Sequence, residues 1–359
     1  MRPFIPLTIL AVLAFFSGCT PARGSWTDDP WGTLPPQVFT KMSSDRADPE
    51  LPLVKPRYTD LKKHTHHTDG FSWGVDVSLD GKTMVYASTF NTENPEIFIK
   101  DVDGRNPRNI SQHVASDIQP RISPDGKSVA FASDRSGNWD IWIIPADGAG
   151  PCQQVTESQN DELYPCWSPD GRSLIYSKKN ERGAWEMWVT NRQTLATAFI
   201  GEGRAPDWGT QNMIVFEKPR EAEPRWYAIW TIQLIIDTKG NIVSQEGPVC
   251  RVDGGSQWAA ISPSWSPDGT KISFTAVSRS PKTKSGSEMR IDDIWIADIK
   301  NGRYFQLTQS ESPDWSSRWA TDGRIYFTAF IDNGHNIWST KPTDLDMDFD
   351  EAAKNLDGR

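Results

Sequence analysis

Five histidines are the side chains of this chain best suited to chemistry. His64, His66 and His67 stand close together, and His113 and His335 stand alone. Imidazoles that a fold brings together can hold a transition metal. His66, His67, His113 and His335 are the candidate ligands. A second set is charged: Asp76, Asp117, Arg121, Glu162, Arg204, Asp207, Asp314 and Arg318 fall shortly before a recurring turn. Carboxylates gathered from distant segments can act as an acid–base pair, and sequence spacing is blind to such a pair. A third set is basic. The segment 277–290 ("VSRSPKTKSGSEMR") carries Arg279, Lys282, Lys284 and Arg290 against one Glu288, and 217–226 ("EKPREAEPRW") adds Arg220 and Arg225. In a chain of net charge −9, locally basic loops suit an acidic partner or an anionic headgroup. The same net charge disfavours nucleic acid.

Other signals fail on their own chemistry. In the tail "DLDMDFDE" (344–351), Asp344, Asp346 and Asp348 match the first ligands of a calcium loop. Phe349 replaces the required Gly and Asn355 the twelfth-position Glu, so the loop is rejected. The chain has no Gly-x-Ser-x-Gly, phosphate-cradling loop, dinucleotide fingerprint or Cys-x-x-Cys. No catalytic residue and no cofactor is assigned, and the reading leans away from an enzyme.

The elements that must position these residues are repeats. "SPDG" occurs at 123–126, 168–171 and 266–269, with "SLDG" at 78–81 and "ATDG" at 320–323. Pro fixes φ, Asp bonds back to the backbone and Gly accepts φ > 0, so each copy is a tight turn. The residue before each turn forms a column: Val77, Ile122, Trp167, Trp208, Trp265, Trp319. Tyr86, Phe131, Tyr176, Phe216, Phe274 and Phe327 form a second. "EIF" (96–98), "DIW" (140–142), "EMW" (186–188), "AIW" (228–230), "DIW" (293–295) and "NIW" (336–338) form a third. Ile110, Val155, Val252 and Leu307 mark a fourth strand. A unit of four short strands cannot bury both faces alone, but six arranged radially can. The expected fold is therefore all-β, a six-bladed β-propeller of four-stranded blades starting near 72, 117, 162, 204, 260 and 314. Most of the 17 tryptophans then fill the spaces between blades. The outer strand of blade 6 is expected from "RYTDLKK" (57–63), with "AAKNL" (352–356) as the alternative.

The turns and "SDRSGNWDIW" (133–142) resemble the TolB-type, WD40-like propeller repeat over about residues 65–342. Blade 4, with "WGTQN" (208–212) at its turn, departs furthest. The resemblance implies a propeller but no reaction. TolB carries an α/β domain ahead of its propeller, whereas a short tether is expected here. Met1–Arg2, the apolar Phe4–Phe16 and "FSGC" (16–19) resemble a bacterial lipoprotein signal, with Cys19 as the lipidated residue. Thr20, in place of Asp, favours the outer membrane. The expected organisation is a signal at 1–18, a tether at 19–54, the propeller at 55–343 and an acidic tail at 344–359. The sequence reading is a monomeric, lipid-anchored envelope protein that binds other envelope proteins without catalysis. The alternative is a carbohydrate-binding or carbohydrate-active propeller working on the histidine face.

Overall fold

The structure, a computed structural model, describes residues 58–343 except 68–69, 222–225, 256–257, 280–289, 310–312 and 332–333. The signal, Cys19, the tether and the acidic tail lie outside the described residues.

The repeats fold into six radial antiparallel sheets. Blade 1 is β2 (Ser72–Val77), β3 (Thr83–Ser88), β4 (Glu96–Asp101) and β5 (Arg108–Asn109). Blade 2 is β6 (Asp117–Ile122), β7 (Ser128–Ser133), β8 (Asp140–Pro145) and β9 (Gln153–Gln154). Blade 3 is β10 (Glu162–Trp167), β11 (Ser173–Lys179), β12 (Trp185–Asn191) and β13 (Thr197–Glu202). Blade 4 is β14 (Arg204–Trp208), β15 (Met213–Pro219), the long β16 (Tyr227–Ile236), β17 (Ile242–Gln245) and β18 (Val249–Val252). Both β17 and β18 pair with β16, which makes this the one five-stranded blade. Blade 5 is β19 (Trp258–Trp265), β20 (Lys271–Arg279), β21 (Arg290–Asp298) and β22 (Tyr304–Gln306). Blade 6 is β23 (Asp314–Trp319), β24 (Ile325–Ile331), β25 (Gly334–Pro342) and β1 (Tyr58–Lys63).

The repeated turn is a closed hydrogen-bond unit. Ser78, Ser123, Ser168 and Ser266 donate from Oγ to the Asp two residues on, at 2.6, 2.6, 2.7 and 2.5 Å. The same Oγ accepts the N–H five residues on, at 2.9–3.0 Å. Gly81, Gly126, Gly171 and Gly269 have φ between 68° and 72°, where a Cβ would be strained. The aromatic columns fill the seams. Trp208 and Phe216 of blade 4 pack with Ile175 and Met187 of blade 3, and Trp265 and Phe274 of blade 5 pack with Val215 and Ile229 of blade 4.

The ring closes through the N-terminal strand: β1 runs antiparallel to β25, with Tyr58 opposite Pro342 and Lys63 opposite Trp338. Arg324 locks it, pairing with Asp60 at 2.5 Å and donating to Ser339 Oγ at 2.7 Å. His64, just beyond the strand, bridges blades 6 and 1 through Ser339 Oγ (2.7 Å) and the Val102 carbonyl (3.1 Å). Among the described residues the cysteines are free: Cys166 is buried, Cys152 half-buried and Cys250 exposed on β18.

Candidate functional site

The inner strands β2, β6, β10, β14, β19 and β23 line the central channel, and every one carries a bulge. The ladder register breaks in each. At the break one residue is left-handed: Gly74 (φ 63°), Gln119 (55°), Tyr164 (58°), Ala205 (48°), Ser262 (52°) and Ser316 (56°). Only the glycine adopts this without steric cost. In blades 3, 4 and 5 the amide at the bulge donates to a side chain of the preceding blade. Tyr164 N–H donates to Gln119 Oε1 (2.7 Å), Ala205 N–H to Ser177 Oγ (3.0 Å) and Ser262 N–H to Glu217 Oε1 (2.6 Å).

Two residues beyond each bulge stand Asp76, Arg121, Cys166, Asp207, Ser264 and Arg318. Arg318 of blade 6 donates from Nε to Asp76 of blade 1 at 2.7 Å and pairs through Nη1 with Asp207 of blade 4. Blades 6 and 4 are not neighbours, so this guanidinium reaches across the channel. The other oxygens are used between blades: Asp76 Oδ2 accepts Ile122 N–H and Asp207 Oδ2 accepts Trp265 N–H, both at 2.8 Å. Ser264 Oγ accepts Trp319 N–H at 3.2 Å, and Cys166 Sγ accepts Trp208 N–H at 3.3 Å. Asp76 and Asp207 are buried, while the Arg318 side chain is 22 % exposed. Burial pushes the Asp207 carboxyl up, but Arg318, Arg121 and the Trp265 amide outweigh it and hold it below the ordinary value. Burial and the Asp207 charge push the Cys166 thiol up to about 12, which leaves it protonated and unreactive. The result is a plate of mixed charge near the turn ends of the inner strands.

The eight charged residues expected at the channel mouth thus separate into two groups. Asp76, Arg121, Asp207 and Arg318 belong to the plate, at the opposite end of the strands from their entrances. Asp117, Glu162, Arg204 and Asp314 do begin their strands, but all four are buried, and the first three form ion pairs within their blades. Asp117 pairs with Arg135 (2.8 Å), Glu162 with Lys178 (3.4 Å), and Arg204 with Glu217 (2.8 Å) while lying 4.1 Å over the Tyr227 ring. Burial raises the Glu162 carboxyl, and hydrogen bonding to Asp140 raises it further.

The histidines do not converge. His64 is spent in the closure, and burial lowers its pKa to about 4. His67 stacks on Phe90 at 3.7 Å. His335 is packed among Phe71, Phe330 and Trp315, and its pKa is likewise lowered to about 4 by burial. His66 and His113 are exposed, and His113 Nδ1 accepts the Ala115 N–H at 3.0 Å. Among the described residues no three His, Cys, Asp or Glu side chains are arranged to hold a metal. The expected ligand set of His66, His67, His113 and His335 is therefore not assembled among the described residues: His67 and His335 are packed against aromatic rings, and His66 and His113 are exposed.

Of the basic loop residues, Arg220 is committed internally. It donates to the Gly255 carbonyl (2.7 Å) and pairs with Asp253 (2.9 Å), tying the loop after β15 to the loop after β18. Arg225, Lys282, Lys284 and the side chains of Arg279 and Arg290 lie outside the described residues. Sequence reasoning missed Ser264, Cys166 and Gln119. The first two occupy the column just before Trp265 and Trp167, where reading one position back would have found them.

The sequence matches the family described as the TolB beta propeller domain over residues 40–252. A "Protein TolB homolog" of Chlorobium luteolum is 28 % identical over 215 residues, 57 % of this chain and 46 % of that protein. A "Tol-Pal system protein TolB" of Desulfotalea psychrophila is 26 % identical over 105 residues, 29 % of this chain and 24 % of that protein. The chain therefore spans less than half the length of either relative. The solved structure of a putative TolB from Agrobacterium tumefaciens matches with a TM-score of 0.51 at 19 % identity, over 76 % of this chain and 90 % of that one. At that identity the structural likeness is one of fold.

Proposed function

Because this chain belongs to the TolB β-propeller family, we propose that it is a noncatalytic platform that binds envelope proteins, as one part of a Tol–Pal-like assembly. The observation that carries the reading is the way the ring uses its charges. Two acids and a base of the channel plate are spent on each other and on inter-blade amides, and the entrance residues Asp117, Glu162 and Arg204 pair within their own blades. Charges used this way make a rigid frame. Recognition then falls to the loops, above all the basic segment 277–290, which runs from the end of β20 to the start of β21. We propose Cys19 as the lipidated residue, after removal of 1–18. Residues 19–54 act as a tether, 55–343 as the propeller and 344–359 as an acidic tail. The protein is a monomer on the periplasmic side, with the outer membrane favoured.

Two experiments test this. Metabolic labelling with palmitate should mark the wild-type chain and not Cys19→Ser; label on both, or on neither, removes the anchor. Affinity capture from gently solubilised envelopes should recover one stoichiometric protein with the wild type. That protein should be lost when Arg279, Lys282, Lys284 and Arg290 are all changed to Gln. Equal recovery by both proteins would move the contact elsewhere, and no recovery by either would remove the platform reading.

A further inference from the structure

Two buried carboxyls meet at the seam between blades 2 and 3. Asp140 opens β8 and Glu162 opens β10, and the Glu162 N–H donates to the Trp139 carbonyl at 2.7 Å. The two side chains lie within hydrogen-bonding reach of each other. Asp140 is well supplied with donors: Ser136 Oγ and Gln154 Nε2 (3.2 Å) reach its Oδ2, and Thr156 Oγ1 reaches its Oδ1 at 3.4 Å. Glu162 Oε1 takes Ser158 Oγ, and Lys178 Nζ at 3.4 Å. Glu162 Oε2 is buried and receives no donor among the described residues. An ionised carboxylate only accepts, so two of them cannot hydrogen-bond each other, and out of water they repel. The one donor this pair lacks is a proton.

The surroundings do not balance a second negative charge. On the elements packed against β10, Asp117 is paired with Arg135 and Arg204 with Glu217. Lys179 lies over the Trp185 ring at 5.9 Å, and Asp161 accepts the Trp139 N–H at 3.3 Å. Arg121 and Asp207 stand at the plate end of their strands. Lys178, only partly buried, is the cation that pairs with Glu162. With one proton on the pair, Asp140, Glu162 and Lys178 sum to zero. Without it, a net negative charge is left in the seam. Glu96 and Asp117 hold the equivalent places between blades 1 and 2, and there Arg135, a permanent cation, lies 2.8 Å from Asp117.

We propose that Asp140 and Glu162 share one proton and that this proton is a pH-sensitive clasp between blades 2 and 3. On deprotonation the proton passes from Glu162 to solvent and both carboxyls become anionic. Burial raises the Glu162 carboxyl and Asp140 raises it further, so the folded seam holds the proton above the ordinary value of 4.5. The clasp is therefore complete below that value and lost as pH rises through the raised one. Ser136 and Ser158 belong to the loops that enter β8 and β10, so the loss reaches the surface.

The test is hydrogen exchange by mass spectrometry on the full chain in detergent, at a series of pH values from 5 to 7.5, with rates corrected for intrinsic chemistry. Peptides over 136–142 and 158–164 carry the seam amides. Peptide 199–205 is the reference, because Gly203 N–H donates to the Trp185 carbonyl at 2.9 Å and the next residue is Arg204 instead of an acid. Seam protection relative to the reference should fall at least about threefold across the series, the equivalent of about half a pKa unit. Glu162→Gln, whose amide donates to Asp140 at every pH, should abolish the fall. Lys178→Met removes the balancing cation and should move the midpoint of the fall to higher pH. Relative protection that stays flat in the wild type, or falls equally in Glu162→Gln, overturns the clasp, as does a midpoint unmoved or lowered in Lys178→Met. The wild-type profile decides even if a variant fails to fold.

Discussion

The channel plate makes a quantitative prediction through Arg318→Met. Methionine keeps an unbranched side chain of similar reach but removes the charge. Asp76 and Asp207, each 2 % exposed, are then left in the channel with their backbone amides and no cation. Breaking a buried ion pair from one side costs about 3–5 kcal/mol. At a urea m-value of about 3 kcal/mol/M, that is a midpoint loss of about 1–2 M. The cost must also depend on pH. In the wild type the Asp207 carboxyl lies below its ordinary value, so its contribution is present above the unfolded pKa and lost as pH falls through the folded one. In the variant, burial is no longer outweighed and the folded pKa rises above the unfolded one. The variant then loses stability as pH rises through that value, so the gap to wild type is widest near pH 7.5 and narrows toward pH 4.5. Urea unfolding followed by tryptophan fluorescence at both pH values measures it. Adding Asp76→Asn and Asp207→Asn to Arg318→Met should recover most of the loss at pH 7.5. A loss below about 1 kcal/mol, or the same loss at both pH values, would refute the plate as a charge-balanced unit.

The bulges give a pair of opposite effects. Gly74→Ala should cost about 1 kcal/mol, because the added Cβ meets nothing closer than 3.9 Å and the cost is that of left-handed backbone alone. Ala205→Gly relieves the same strain and should gain about 0.5 kcal/mol after the unfolded-state entropy of glycine is charged against it. Both are read from urea midpoints. His64 binds its proton near pH 6.5 when unfolded and near 4 when folded, so the unfolded state binds more protons between these values. Stability should therefore fall as pH drops from 6.5 to 4, by at most about 3 kcal/mol from this group. A flatter profile is expected in His64→Gln. Arg324→Leu removes the ion pair to Asp60 and the bond to Ser339. The amides of residues 58–63 should then exchange at least about tenfold faster by mass spectrometry, while blades 2 and 3 stay unchanged.

Much of this was legible because its causes are local. Ser, Pro, Asp and Gly each do one separable job in the turn, so the motif announces itself wherever it recurs. Blade 4 loses the motif at Gly209–Gln211 yet keeps Trp208, and the aromatic column alone places it. The closure was legible only as a choice. "RYTDLKK" and "AAKNL" are both plausible strands, and side chains far apart in sequence, Arg324 with Asp60 and His64 with Ser339, decide for the first. The bulges were invisible, since Gly, Gln, Tyr, Ala, Ser and Ser share no chemistry at that position. The plate was visible only as unsorted charge. Arg318 lies 242 residues from Asp76 and 111 from Asp207, and nothing local separates them from the entrance residues Asp117 and Glu162.

The same physics explains which columns of a radial repeat stay uniform. A turn serine sees its own aspartate and its own backbone, so one solution serves every blade. A seam aromatic sees only the next blade, and size is enough to specify it. A plate residue faces its five counterparts around one axis, where six copies of any charged side chain would repel at short range in a poorly solvated space. That column must therefore be mixed. It holds two acids, two bases, a thiol and a hydroxyl, arranged so that Arg318 reaches past blade 5 to the acid of blade 4. The least repetitive column of a propeller is thus the one whose members meet each other, and in an otherwise regular repeat it marks where the channel lies and what charge it offers a ligand.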